Sequence, residues 1–301
     1  VAGFESAMKA QRQRARASMT TADAVFTASV AVKLRDAGHQ RTEFVGYRTL
    51  AAETPLSAIV GDGDVLLPRA THGQKVVLVG GVTPFYAQGG GQVGDRGSIR
   101  TPTGVAEVVN TTALDGFHLH QAIVQEGHLE AGQAARFEVD TPARRATERN
   151  HTATHLLHAA LKQVLGEHVS QAGSEVAPER LRFDYTQPEK PSAEQLQRIE
   201  QLVNEQVLAA AEVAAVVRRL DEAKAAGFVA LFGEKYGEQV RTLQVGDFSK
   251  ELCGGTHVHN TGNIGTFRIV SETAVAAGTR RIEAVTRSEE RRVGKECRSR
   301  W

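Results

Sequence analysis

Asn150-His151-Thr152-Ala153-Thr154-His155-Leu156-Leu157-His158-Ala159-Ala160-Leu161-Lys162-Gln163-Val164-Leu165-Gly166 decides how this chain is read. Ala153, Leu156, Leu157, Ala160, Leu161 and Val164 recur at helical spacing and predict one apolar face. Asn150 is placed to cap the start of this helix and Gly166 to end it. His151 and His155 stand four apart, so a helix sets both imidazoles on one face. Cys253-Gly254-Gly255-Thr256-His257 repeats that spacing with a thiol and a third imidazole. Three His and one Cys make a borderline-soft N/S donor set that suits tetrahedral zinc. The Gly-Gly turn lets Cys253 and His257 converge on one ion.

Outward from these segments, 301 residues are enough for two domains or three. With 41% hydrophobic and 24% charged residues, the composition is that of a soluble globular protein. No apolar run approaches the ~20 residues of a membrane span. The start, Val1-Ala2-Gly3-Phe4-Glu5, has no basic end followed by an apolar stretch, and no initiator Met, so the chain reads as an internal piece. Two cysteines do not make a disulfide framework, and a reducing, cytoplasmic setting is expected. Residues 287–301 resemble the in-frame translation of a common short-read sequencing adapter and are expected to be a non-native tail. That tail holds six Lys/Arg and three Asp/Glu, so residues 1–286 carry a net charge of −2 against +1 for the whole chain. Global charge then argues neither for nor against a nucleic-acid partner. Cys253 becomes the sole native cysteine.

An α+β chain is predicted. Residues 4–18 read as an amphipathic helix carrying Lys9, Arg12, Arg14 and Arg16, and residues 19–42 as a connector. Residues 43–139 alternate short β-branched runs with Gly and Pro turns, which fits a small β-barrel. Within that stretch lies Thr83-Pro84-Phe85-Tyr86-Ala87-Gln88-Gly89-Gly90-Gly91-Gln92-Val93-Gly94-Asp95. It is neither a phosphate loop nor a dinucleotide fingerprint, and turn chemistry is its simplest reading. From residue 140 the pattern becomes α/β. A second helix is expected from Ser192, with Gln195 completing a capping box, and a shorter one from Asp221 to near Gly227. Strands are expected at 181–185, 240–245, 266–270 and 281–285.

The metalloprotease pattern needs Glu directly after the first His, and Thr152 stands there. The nucleobase-deaminase signature is also missing. A closed structural site and a site that binds substrate or water both remain open on spacing. Thr154 lies near the face of His151, and Ser170-Gln171-Ala172-Gly173-Ser174 follows the helix as a polar turn. His158 extends the imidazole row or is a surface residue. Asp247 is either an ordinary turn residue or the partner that orients a ligand histidine.

The segments His151–His155, Ser170–Ser174, Leu231–Gly237, Glu251–His257 and Arg280–Val285, in this order, closely resemble the editing domain of alanyl-tRNA synthetase. Upstream, Gly3-Phe4-Glu5 with the basic helix resembles the end of that family's tRNA-recognition region, and the Gly-rich segment resembles its β-barrel. The resemblance implies four parts: 1–42, the helical end of the recognition region and connector; 43–139, the barrel; 140–286, the zinc-dependent editing domain; and 287–301, the tail. One departure is visible, since Gln88-Gly89 stand where the family usually has Glu-Ser. The related editing domain of threonyl-tRNA synthetase shares the implied fold, but the Gly-rich barrel segment and Cys-Gly-Gly-Thr-His favour alanyl.

What the resemblance implies is an aminoacyl-tRNA ester hydrolase acting on tRNA(Ala) wrongly charged with serine or glycine. His151, His155, Cys253 and His257 would be the zinc ligands. Thr154 and Gln171 would help select serine and orient the attacking water. Arg144, Arg145, Arg149, Lys235, Arg280 and Arg281 are candidates to meet tRNA phosphates. The parent enzyme ligates alanine to tRNA(Ala) with ATP. Its aminoacylation core would precede Val1 and its dimerisation region would follow Thr286, so alanyl-adenylate formation is not expected.

Overall fold

A computed structural model describes residues 29–229 and 236–286. The expected helix at 4–18, Lys235 and the tail lie outside the described residues. The chain forms two compact units. The first runs to Val139 but omits Tyr86–Asp95; the second takes Tyr86–Asp95 together with the described residues from Asp140 on. The Gly-rich stretch expected inside the barrel therefore belongs to the second unit. No helix among the described residues is long and apolar enough to cross a membrane.

The first unit begins with helix α1 (Ser29–Asp36), in the stretch expected to be a connector. Val30, Ala31 and Leu34 give it one fully buried side. Strands follow as β1 (Glu43–Phe44), β2 (Ala51–Gly61), β3 (Val65–Leu67), β4 (Arg69–Thr71), β5 (Lys75–Gly80), β6 (Val82–Thr83), β7 (Gly97–Thr101), β8 (Gly104–Leu114), β9 (Phe117–Glu130) and β10 (Ala134–Val139). The order β10-β7-β8-β9-β5-β2 closes through a β2–β10 pairing, giving a six-stranded barrel. Closure removes the exposed edges that an open sheet would leave.

Strand period explains the two cores. Val76 and Leu78 of β5 join an interior cluster with Ile99, Val108, Val124 and Phe137. Val77 and Val79 point the other way, to Leu119 and to Val30, Ala31 and Leu34 of α1. In β2 a register shift between Leu56 and Ala58 keeps Leu56 and Ile59 inside while Ala58 and Val60 turn to the helix. Fully burying each such aliphatic side chain is worth ~1.5–3 kcal/mol.

In the second unit, helix α2 (Thr141–Leu165) starts nine residues before the expected cap. Asp140 is the cap, accepting from the Ala143 amide at 3.1 Å, with Pro142 in the first turn. Asn150 lies inside the helix instead, donating to the Ala177 carbonyl at 2.7 Å. Strands β11 (Gln171–Val176) and β12 (Leu181–Thr186) follow, then α3 (Ala193–Leu208), whose Ser192/Gln195 capping box forms as read. The rest is β13 (Val213–Arg219), α4 (Leu220–Ala225), β14 (Gln239–Val245), β15 (Ser249–Leu252), β16 (Phe267–Ala276) and β17 (Thr279–Thr286). One antiparallel sheet is ordered β11-β12-β17-β16 and another β13-β14-β15. Ala153, Leu156, Leu157, Ala160 and Leu161 of α2 bury against Leu181, Phe183, Ile199, Val203 and Ile282. Strands at 181–186, 239–245, 267–276 and 279–286 answer those expected; β11, β13 and β15 were not anticipated.

Tyr86–Asp95 is stitched to this unit by its backbone. Val93 N donates to the Val176 carbonyl at 3.0 Å, and Val176 N to the Gly91 carbonyl at 2.8 Å. Gly91 has φ of +81°, and a Cβ there would collide with the Ser174 hydroxyl, so only glycine fits. At the loop's end Asp95 is gripped by the Arg144 guanidinium, whose Nε donates to both carboxylate oxygens at 3.0 Å. Arg144 is 1% exposed. Removing one partner of such a buried pair typically costs ~3–5 kcal/mol.

His120 is a buried polar group inside the first unit. Its Nδ1 donates to the Leu78 carbonyl at 2.8 Å, and its Nε2 accepts from the Thr83 hydroxyl at 2.8 Å. Burial outweighs the Leu78 bond and pushes its pKa down to about 3 from 6.5. The unfolded chain takes up a proton near pH 6.5 that the folded chain refuses until about 3. This contribution to stability is therefore complete above pH 6.5 and drains away as pH falls. By linkage the loss is ~1.4 kcal/mol per pH unit within that window. Urea unfolding at pH 7 and pH 5 should show a smaller acid-induced loss in His120→Gln than in the unaltered chain; equal losses would exclude His120 as the cause.

Candidate metal centre

One turn of α2 puts the His151 and His155 rings side by side, with centroids 5.3 Å apart. The turn after β15 brings Cys253 and His257 to them. One ligand atom from each of these four residues lies within 4.8 Å of all the others. Cys253 Sγ is 3.2 Å from His257 Nε2 and 3.5 Å from His151 Nε2. Donors around one tetrahedral zinc stand roughly 3.3–3.7 Å apart, given Zn–N and Zn–S bonds of about 2.0 and 2.3 Å. The expected quartet is thus gathered at coordination scale.

Each imidazole is aimed by its far nitrogen. His151 Nδ1 donates to Gln92 Oε1 at 2.8 Å, and that oxygen also takes the Thr256 amide at 2.9 Å. His155 Nδ1 donates to Glu251 Oε2 at 2.7 Å. His257 Nδ1 donates to Thr152 Oγ1 at 3.2 Å, while that hydroxyl spends its own proton on the Glu148 carbonyl. Holding Nδ1–H in this way fixes the tautomer that presents Nε2 as a donor lone pair. His155 Nε2 is buried and has no hydrogen-bond partner. An orphaned ring nitrogen of this kind, beside a thiol and two more imidazoles, fits a cation.

The electrostatics agree. Burial raises the Cys253 thiol, but His151, His257 and His155 outweigh it and hold the thiol well below its ordinary 9.0. Burial also opposes charge on Glu251, yet His155 and His158 draw its carboxyl down to about 2. The half-buried Cys253 sulfur and the buried Glu251 carboxylate meet at His155, and charges in such surroundings are paired or coordinate metals. To ligate through Nε2, His155 gives up any proton held there.

Beside the quartet opens a pocket of about 230 Å³, lined by His151, Thr154, His155, Gln171, Arg241 and Cys253 among others. Thr154 is 5% exposed, lines this pocket and donates its hydroxyl proton to the Asn150 carbonyl at 2.8 Å. Gln171 lies in β11, not in a turn, and its amide donates to Ser174 Oγ at 3.0 Å. Arg241 braces the ligand turn by donating to the Cys253 and Gly255 carbonyls, each at 2.9 Å.

Open readings are decided here, and some expectations change. His158 is buried, not on the surface. Asp247 is an exposed turn residue, and the groups that orient the ligand histidines are Gln92, Thr152 and Glu251. Among the proposed phosphate contacts, Arg144 is buried on Asp95 and cannot meet an RNA backbone. Arg280 is clasped by Glu272 and Arg281 by Asp184, so both positive charges are already matched. Arg145 pairs with Glu148 at 2.7 Å but stays half-exposed, and Arg149 lines an open cavity with Arg145, Glu148 and His259.

Comparison with known proteins places the chain among tRNA synthetases. Residues 1–143 match the class II (A) tRNA synthetases, and residues 240–283 match the threonyl and alanyl tRNA synthetase second additional domain. Cys253 and His257 fall in the second match; the His pair on α2 lies outside both. The class is therefore that of aminoacyl-tRNA synthetases carrying this additional domain. Alanine–tRNA ligases of Methylococcus capsulatus and Geobacillus kaustophilus are 50% and 49% identical to it, over 95% of this chain and 32% of each relative. That of Thermus thermophilus is 51% identical over 95% of the chain and 33% of its own length. The chain belongs to the alanine–tRNA ligase family and spans about a third of the length of these relatives.

Gly255 sets a sharp test of the centre. A Cβ there would strike the His151 ring and crowd Gln92 Oε1. Gly255→Ala is expected to keep its circular dichroism but bind Zn2+ at least ~10-fold more weakly in chelator competition, the scale seen when the partner of a ligand is disturbed. Unchanged affinity would show that His151 is not held where the geometry requires.

Proposed function

We infer that residues 140–286, with the Tyr86–Asp95 loop, form a zinc-dependent editing domain that hydrolyses the ester of tRNA(Ala) mischarged with serine or glycine. The observation that carries this reading is the His151/His155/Cys253/His257 quartet opening onto a pocket that holds Thr154 and Gln171. The relatives' name, alanine–tRNA ligase, suggests the partner, tRNA(Ala), and pocket chemistry suggests the need. A synthetic pocket sized for alanine admits smaller glycine and discriminates poorly against one added hydroxyl. Differences of ~1–3 kcal/mol give only ~10–200-fold selection, so a second, hydrolytic sieve is required. In the whole protein this sieve would accompany ATP-dependent ligation of alanine.

The chain's own residues divide the work. Thr154 accepts a hydrogen bond from the seryl hydroxyl, since its own proton is committed to Asn150. An alanyl ester offers no such donor, so correctly charged tRNA gains nothing there. Gln171, held by Ser174, orients the attacking water with its amide. When bound among the four ligands, zinc supplies a fixed positive charge beside the ester. The half-exposed Arg145 and neighbouring Arg149 are the cations best placed to meet phosphates.

A closed set of four protein ligands also suits a purely structural zinc module that only binds tRNA. Chelation separates the two: a structural ion unfolds the domain on removal, whereas an editing site loses turnover with its fold kept. The purified chain is expected to deacylate Ser-tRNA(Ala) far faster than Ala-tRNA(Ala), with the difference abolished by chelator. Cys253→Ala should lose both zinc and at least ~100-fold in deacylation, the loss of ~2.7 kcal/mol of transition-state stabilisation. Full zinc content in that variant would remove the ligand set from consideration.

A further inference from the structure

We propose that His158 is a positioning residue of the metal centre, acting through Glu251 on the ligand His155; this rests on the reading that the quartet takes zinc. The Glu251 carboxylate is shared between two rings of α2. Its Oε2 accepts from His155 Nδ1 at 2.7 Å and its Oε1 from His158 Nδ1 at 2.8 Å. An ionised carboxylate only accepts, so both ring nitrogens donate. His155 and His158 are three apart on the helix and one carboxylate spans them.

His158 itself is not a member of the quartet. It is 3% exposed, its ring lies 5.3 Å from that of Phe183, and its Nε2 is buried without a hydrogen-bond partner. An apolar residue would fill this position without stranding a polar atom. A buried imidazole with one nitrogen unsatisfied makes sense where the other nitrogen does necessary work. That work is mechanical. The terminal torsion of a glutamate is broad and nearly two-fold, so a carboxylate held at one oxygen can swivel. Held at both, the Glu251 plane is fixed, and with it the direction of His155 Nε2.

The test uses the purified chain loaded with Zn2+ or Co2+. His158→Leu removes the donor; His158→Asn returns an amide nitrogen near the place of Nδ1. Leu is expected to weaken zinc ~10–100-fold in chelator competition and to shift the visible Co2+ absorption, because the His155 donor is no longer fixed. Asn should recover affinity to within about threefold of the unaltered chain and restore the cobalt spectrum, a rescue that a purely space-filling role would not produce. Combining His158→Leu with Glu251→Gln should cost little beyond the worse single change, since both act on one bond network. Zinc affinity and cobalt spectrum unchanged in His158→Leu, or fully additive effects in the double variant, would overturn the proposal. Failure of the unaltered chain to bind either metal would overturn the metal reading itself and this inference with it.

Discussion

Three histidine side chains in the second unit each surrender one ring nitrogen to a polar partner, and the rest of the candidate site depends on that arrangement. Gln92, Glu251 and Thr152 are themselves satisfied or tethered, so the rings they hold have little freedom left. A loose imidazole would lose torsional entropy on binding a cation; one already fixed does not. The apolar face of α2 supplies the stiff base, because Ala153, Leu156 and Leu157 leave the helix no room to rotate.

The partners come from distant stretches of sequence. Gln92 reaches His151 across 59 positions, and Glu251 reaches His155 across 96. The Gly-rich segment is thus neither a phosphate cradle nor mere turn chemistry. Its glycines let the backbone approach Ser174 closely enough for Gln92 to insert beside Thr256. The buried Asp95–Arg144 pair holds the far end of the same segment, which explains an arginine of α2 that charge alone suggested for RNA.

Local periodicity made much of the fold readable. The α2 face, the α3 capping box and the strands around 181, 240 and 282 follow from spacing within a few residues. The quartet was readable too, because its members fall in two short motifs. What escaped was set by tertiary partners. Residues 141–149 hold no apolar side chain larger than proline, so the helix there is invisible to an apolar count; it buries Arg144 and Thr147 by ion pair and hydrogen bond instead. Strand β11, Gln-Ala-Gly-Ser-Glu-Val, has little intrinsic β preference and exists through pairing with β12. The acids that neutralise Arg280 and Arg281 lie 8 and 97 positions away, which no one-dimensional charge pattern reveals. The place of His158 stayed open between imidazole row and surface because its burial depends on a carboxylate 93 positions later.

The excursion of Tyr86–Asp95 into the second unit bears on how the polypeptide can be dissected. A scissor cut between Val139 and Asp140 follows the obvious seam in the sequence, yet it would strand Gln92 and Asp95 on the wrong piece. His151 would lose its anchor and Arg144 would become an interior cation without its counter-ion. The second unit lifted out for separate study must therefore bring that ten-residue strip along, spliced ahead of Asp140 or supplied as a second strand.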